Sequence, residues 1–356
     1  MTGKNRTRTH QNRTDIFVVG AGPAGLHAAE TLVNGGAQVT LVDRNPTPGS
    51  KACAGGLTRG AMATLAIDPS RISASRRFQS LNVVGPKGRF VMAPDDEKPL
   101  LVTVNRQEVQ AERIERLRDL GVEILLGERL LRFEGNRALT DHREVSWGRL
   151  IGADGSQSRI RRGLGLQRGR SLRALQIRID RRSAEACGID TENPTVFFDS
   201  ALLRSGYGWA FPYDEQLRLG IGLSESELEC PLRRIFRQWL ARFGLTLEPR
   251  ALESGTIACE YQGHRFGAIY LAGDAAGMAS PLTGEGIEQA LVSGREVALE
   301  ILEPRYRSRR IARLAARHRR TLDVLSATPL RKLLDAAPSL LAVHAIRKQA
   351  LARFVF

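Results

Sequence analysis

Apolar positions fall into two textures along the chain. From Asp15 to Gly20 a short unbroken apolar run reads as a buried strand, a helical pattern follows through Asn34, and a second apolar strand spans Gln38 to Val42. This is a complete strand–helix–strand unit. A helix from Arg106 to Leu120 is ended by Gly121 and followed by a strand from Val122 to Leu126, and far downstream the apolar run Ile269 to Ala272 leads through a glycine-rich loop into another helical pattern after Gly286. After Gly169 the texture changes. Leu175, Ile177 and Ile179 alternate with Gln176, Arg178 and Asp180, and Leu217, Leu219 and Ile221 alternate with Arg218, Gly220 and Gly222, which predicts half-buried antiparallel strands. Phe78 to Val104 reads as a strand pair broken at Gly85-Pro86, and Pro231 to Phe243 as a helix. Beyond Pro304, Ile311 to Leu325 and Leu330 to Phe356 (with Leu333, Leu334, Leu340, Leu341, Val343 and Ile346) read as amphipathic helices with a basic face. The fold class expected is α/β: a Rossmann-like nucleotide domain (1–77, 101–169, 261–303) interleaved with an antiparallel-sheet substrate domain (78–100, 170–260), then C-terminal helices (304–356).

Composition narrows the function classes. At 356 residues with 42% hydrophobic content, the chain can bury a large core. The net charge of +15 comes mostly from scattered arginine and reads as a solvated basic surface or as attraction to anionic lipid head groups. No interleaving of aromatic and basic residues supports nucleic acid as a partner. Cys53, Cys187, Cys230 and Cys259 form no CxxC pair, which argues against a zinc site, a disulfide framework or an iron–sulfur cluster and fits a reducing cytosol. Residues 1–14 are polar without an apolar core, and no run approaches the ~20 apolar residues of a spanning helix, so the expectation is a cytoplasmic protein, peripheral at most to the inner face of a membrane.

Candidate chemistry lies in the glycine-rich joints. Gly20-Ala-Gly22-Pro-Ala-Gly25 joins the first strand to its helix, with Asp43 at the end of the next strand. In such a dinucleotide fingerprint Gly20 makes the turn, Gly22 lets the backbone meet a pyrophosphate, Gly25 brings helix close to strand, and Asp43 binds ribose hydroxyls. No second fingerprint for a nicotinamide cofactor is found. Gly273-Asp274 and Thr283-Gly284-Glu285-Gly286 form the other joint, where small residues and a helix N-terminus let a backbone approach a large planar anion such as a reduced flavin, with Asp274 accepting from ribityl hydroxyls.

Three further stretches carry a resemblance. Lys51-Ala-Cys53-Ala54-Gly55-Gly56-Leu57 resembles the KxCGGGL loop of the geranylgeranyl reductases, flavoenzymes with the para-hydroxybenzoate hydroxylase fold, with Ala54 departing from the usual glycine. Gly152-Ala-Asp154-Gly155-Ser-Gln-Ser158-Arg-Ile-Arg161 resembles the GADGxxSxxR motif of the same fold, and Tyr207-Gly-Trp209-Ala-Phe211-Pro212 the YxWxFP motif of the reductases. The resemblance implies FAD as cofactor, a reductant that is NADPH or a reduced electron carrier, and saturation of carbon–carbon double bonds in a polyprenyl group on a lipid, quinone or pigment precursor. It also implies Lys51, Cys53, Gly55 and Gly56 facing the flavin, Arg106 at the pyrophosphate, Asp154 and Gly155 beside the flavin, and Tyr207, Trp209 and Phe211 along a greasy slot. Cys53 and Tyr207 are candidate proton donors and Trp209 a substrate-contacting residue. Two alternatives stand beside this reading: a monooxygenase or halogenase of the same fold, and a basic FAD-containing membrane-binding protein without turnover.

Overall fold

The strand Asn12–Val19 holds the middle of the largest sheet because its apolar run leaves no face for water: Phe17 and Val18 are fully buried. It pairs in parallel with Val39–Asp43 on one side and Glu144–Gly152 on the other. The computed structural model describes residues 12–49, 51–65, 76–94, 96, 98–248 and 252–327. Among these, the strands form three sheets. The parallel sheet runs Ile269–Leu271, Glu144–Gly152, Asn12–Val19, Val39–Asp43 and Glu123–Leu126, with antiparallel additions at its margins. Helices Pro23–Asn34 and Ile287–Leu302 pack together over it, and helix Arg106–Asp119, capped by the Asn105 side chain on the Gln107 N–H, ends before Gly121 at φ 87°.

A second sheet of seven strands carries Glu253–Ala258, Ser171–Asp180, Gln216–Ser224, Tyr207–Pro212, Thr195–Phe197, Leu81–Gly85 and Gly88–Met92 in that order. Its pairs are antiparallel except Thr195–Phe197 with Leu81–Gly85. Here one expectation is corrected. The strand Gln216–Ser224 is not half-buried but buried along Leu217–Leu223 on both faces. Leu217, Leu219, Ile221 and Leu223 meet Phe236 and Trp239 of helix Leu232–Ala241, while on the reverse face Arg218 is tucked under the Cys53 loop and Gly220 lies under the Trp209 ring. Removing both faces from water requires a small or partnered side chain at each even position, and that is what these residues supply.

A three-stranded sheet of Gly56–Thr58, Leu101–Thr103 and Arg76–Phe78 bridges the two larger ones. The C-terminal helix Arg309–Ala327 buries Ile311, Ala315 and His318 and leaves Arg309, Arg310, Arg313, Arg317 and Arg320 in solvent. The apolar face that Ile311, Ala315 and His318 mark out is therefore occupied by the protein itself. The helices expected from Leu330 onward lie outside the described residues. No helix among those described is long and apolar enough to cross a membrane.

Candidate active site

At one end of a cavity of about 650 Å³ lies the first glycine turn. A Cβ at Gly20, whose φ is 110°, would stand 2.3 Å from the Ala153 carbonyl oxygen, and one at Gly25 would stand 1.8 Å from the Gly20 carbonyl oxygen. Both glycines are fixed by packing. A Cβ at Gly22 would meet no atom within 4 Å, so the space above it is kept open for something other than the fold. Gly22 also caps helix Pro23–Asn34 without any side-chain hydrogen bond, which leaves the helix N–H groups free for an anion. Asp43 accepts from the Ala21 N–H at 2.7 Å and the Asn45 N–H at 2.8 Å, holding its carboxylate at the mouth of the turn. Arg106, at the start of its helix, lines the same cavity.

Two loops from opposite ends of the chain meet in the middle. Asp154 accepts from the Arg159 N–H at 2.7 Å, while its Oδ1 is buried without a hydrogen-bond partner, and burial pushes its carboxyl above the ordinary carboxylate range. Arg161 is buried and donates to the carbonyls of Asp274 at 3.1 Å and Ala275 at 3.2 Å and to that of Ser156, so it ties the Asp154 turn to the Asp274 turn. Lys51 Nζ lies 2.7 Å from Asp274 Oδ2. Gly286 caps helix Ile287–Leu302, again without a side-chain hydrogen bond, and Gly284 takes φ 63° beside it.

The Cys53 loop is held by residues the sequence reading passed over. Tyr213 donates to the Ala54 carbonyl at 2.8 Å, and Arg218, stacked 4.3 Å over the Tyr213 ring, donates to the Cys53 carbonyl at 2.9 Å. A Cβ at Gly55 would fall 1.9 Å from the Tyr213 hydroxyl, and one at Gly56 would fall 2.8 Å from the Phe211 ring. These glycines let the clamp close on the loop. The Cys53 sulfur accepts from the Gly55 N–H at 3.3 Å. The available signal was Arg218 itself, a lone arginine in a strand of leucines and glycines.

Beyond Cys53 the cavity turns apolar. Tyr207 and Trp209 stand 6.0 Å apart between ring centroids, Phe198 is 6.3 Å from Tyr207, and Leu81, Val83 and Met92 continue the wall. Tyr207 donates to the Thr283 carbonyl, which ties this slot to the Gly284 loop, and burial pushes its hydroxyl well above its ordinary value. Every site residue singled out from the sequence lines this one cavity except Gly25, which sits beneath Gly20.

The residues fit FAD: an open glycine and an uncapped helix N-terminus for a pyrophosphate, a carboxylate for the adenosine ribose, and a second uncapped helix N-terminus near Asp274. Residues 13–326 match the model of the FAD binding domain family. Over 350 residues, covering 90% of this chain and 88% of the other, the chain is 30% identical to digeranylgeranylglycerophospholipid reductase 2 of Methanothermobacter thermautotrophicus. It is also 30% identical to menaquinone reductase of Mycobacterium tuberculosis over 336 residues, 84% of this chain and 78% of that one. A geranylgeranyl bacteriochlorophyll reductase-like structure from Thermoplasma acidophilum superposes with a TM-score of 0.77 at 21% identity, covering 97% of each chain, which supports the fold. Fold and site together define an FAD-dependent oxidoreductase. Within that class, the chain belongs to the geranylgeranyl reductase family.

Proposed function

We propose that this oxidoreductase saturates carbon–carbon double bonds of a polyprenyl group carried by a lipid, quinone or pigment precursor. The observation that carries the reading is the continuity of the nucleotide cavity with an apolar slot walled by Tyr207, Trp209, Phe211 and Phe198. A prenyl chain has no polar group to anchor, so its recognition rests on apolar area, at about 25 cal/mol per Å² buried.

FAD, when bound and reduced, supplies the hydride for one alkene carbon. Gly22, Asp43 and Arg106 would hold its nucleotide half, while Lys51, Asp154, Gly155, Asp274, Gly284 and Gly286 would surround the other half. The clamp of Tyr213 and Arg218 fixes the Cys53 loop, which would face that half, so that the thiol would serve as donor of the proton for the second alkene carbon. Tyr207 is the weaker donor candidate, because its hydroxyl is held by the Thr283 carbonyl and raised by burial. Its role is to join slot and cofactor loop. The aromatic wall excludes water, which protects a reduced cofactor from side reactions. The reductant is a nicotinamide cofactor or a reduced electron carrier arriving from solvent.

Mass spectrometry of lipid and quinone extracts from cells with and without the gene tests this reading. A prenylated compound two mass units lighter per affected bond accumulates without the gene. An unchanged prenyl profile, with an oxygenated or halogenated product lost instead, supports the monooxygenase or halogenase alternative. The exposed arginines of Arg309–Ala327 suit anionic head groups, each contributing about 1 kcal/mol near a charged surface. Co-sedimentation with anionic vesicles accordingly declines with added salt, and equal binding to neutral vesicles overturns that part.

A further inference from the structure

Saturating one double bond takes up two electrons and two protons overall. Both electrons and one proton reach the alkene as hydride, and the second proton must come through the protein in a cavity built to keep water out. On the prenyl-reductase reading, the protein therefore needs a proton store next to the slot. The side chains around Thr58 have the required arrangement.

The Thr58 hydroxyl, itself buried, lies 2.8 Å from Glu285 Oε1 and 3.3 Å from Glu288 Oε2. A hydroxyl has one proton to donate, so it cannot satisfy two carboxylates at once; the pair is completed best when one of them carries a proton. Glu285 lines the cavity, while Glu288 lies behind it against Gly60, where a Cβ would fall 2.3 Å from the Glu288 carboxyl carbon. The missing side chain at Gly60 is what lets Glu288 come this close. Gln289 is buried beside them and favours the charged form of Glu285. We infer that Glu285, coupled to Glu288 across the Thr58 hydroxyl, is the proton store that each turnover draws on and that Glu288 refills from the solvent side.

The electrostatics agree with the geometry. Burial first, and the Glu288 charge second, push the Glu285 carboxyl up to about 7, against weaker opposing pulls from Thr58, Gln289 and Arg317 of the C-terminal helix. The facing groups are therefore Glu288 and Gln289 on the helix that follows it, Thr58 from the small sheet and Arg317 from the last helix. Burial above all pushes the Tyr207 hydroxyl up, with lesser contributions from Cys53 and Glu285, which places the three in one neighbourhood. The proton bond that breaks is O–H on Glu285 and the one that forms is S–H on Cys53, after Cys53 has given its own proton to carbon. Glu285 then regains a proton from Glu288, and no further electron donor is needed.

The test uses FAD-loaded protein. Infrared difference spectra across pH show a protonated-carboxyl band in the wild type that disappears with a midpoint near 7. That band is absent from Glu285→Gln and moves to lower pH in Glu288→Gln, where the like charge is gone. Turnover with a prenylated lipid declines as pH rises through the same midpoint and shifts with it in Glu288→Gln. In Glu285→Gln turnover drops about 100-fold while flavin reduction is unaffected. Should Glu285→Gln lose FAD, the paired shift of band and profile in Glu288→Gln decides alone. Wild-type turnover and pH profile in the FAD-loaded Glu285→Gln protein, or no shift of either in Glu288→Gln, overturns the inference while leaving the reductase reading intact. A wild-type protein that reduces no prenylated lipid overturns both.

Discussion

Gly22→Val yields a colourless protein that folds normally, whereas the wild type is yellow with non-covalent FAD. The expected loss is at least about 100-fold in FAD affinity, or roughly 2.7 kcal/mol. Its force comes from a contrast within one turn. A Cβ on Gly22 touches nothing within 4 Å, so the protein itself has no objection to a side chain there; on Gly20 and Gly25 it would strike backbone oxygens at 2.3 and 1.8 Å. Valine at either of those two positions damages the fold, and valine at Gly22 damages only the ligand site. Bound flavin absorbance after reconstitution, read beside a melting curve, separates the cases. A Gly22→Val protein that retains FAD would falsify the placement of the pyrophosphate.

The second large effect is expected at Cys53. Cys53→Ser retains the size of the side chain and the hydrogen bond from the Gly55 N–H, but replaces a thiol by an alcohol whose proton is held far more tightly. If the thiol is the donor, prenyl turnover falls by about 100-fold or more, with FAD content and flavin reduction unchanged. The Tyr213 and Arg218 clamp grips the backbone carbonyls of this loop rather than the sulfur, so the serine variant retains the loop geometry. That makes the comparison one of chemistry alone. Undiminished turnover would pass the role to Tyr207 or to water.

How much could be read in advance depended on how local the physics was. The strand–helix–strand unit from Asn12 to Asp43 and the Gly121 stop were legible because each rests on residues a few positions apart. The two glycine-rich joints were legible for the same reason. What escaped was held together by distant partners. Tyr213 and Arg218 grip a loop some 160 positions away, and in an alternating strand Arg218 looks like an ordinary solvent-facing residue. Gly220 and Gly222 likewise suggested an exposed face, because nothing nearby in the chain shows that the Trp209 ring covers Gly220. Thr58 meets Glu285 and Glu288 across more than 220 residues. Ile311 to Leu325 lies in a helix as its pattern predicts, but sequence could not tell that Ile311, Ala315 and His318 are already covered by the protein.

The assay that measures Cys53→Ser also decides the central claim when run on the wild type. Holoprotein is reduced without oxygen and mixed with a geranylgeranylated phospholipid or quinone, and flavin absorbance and product mass are followed together. The account predicts that the flavin reoxidises in the absence of oxygen and that the product gains two mass units for every flavin turned over. A flavin that stays reduced with every prenylated compound offered, and reoxidises only when air is admitted, contradicts it.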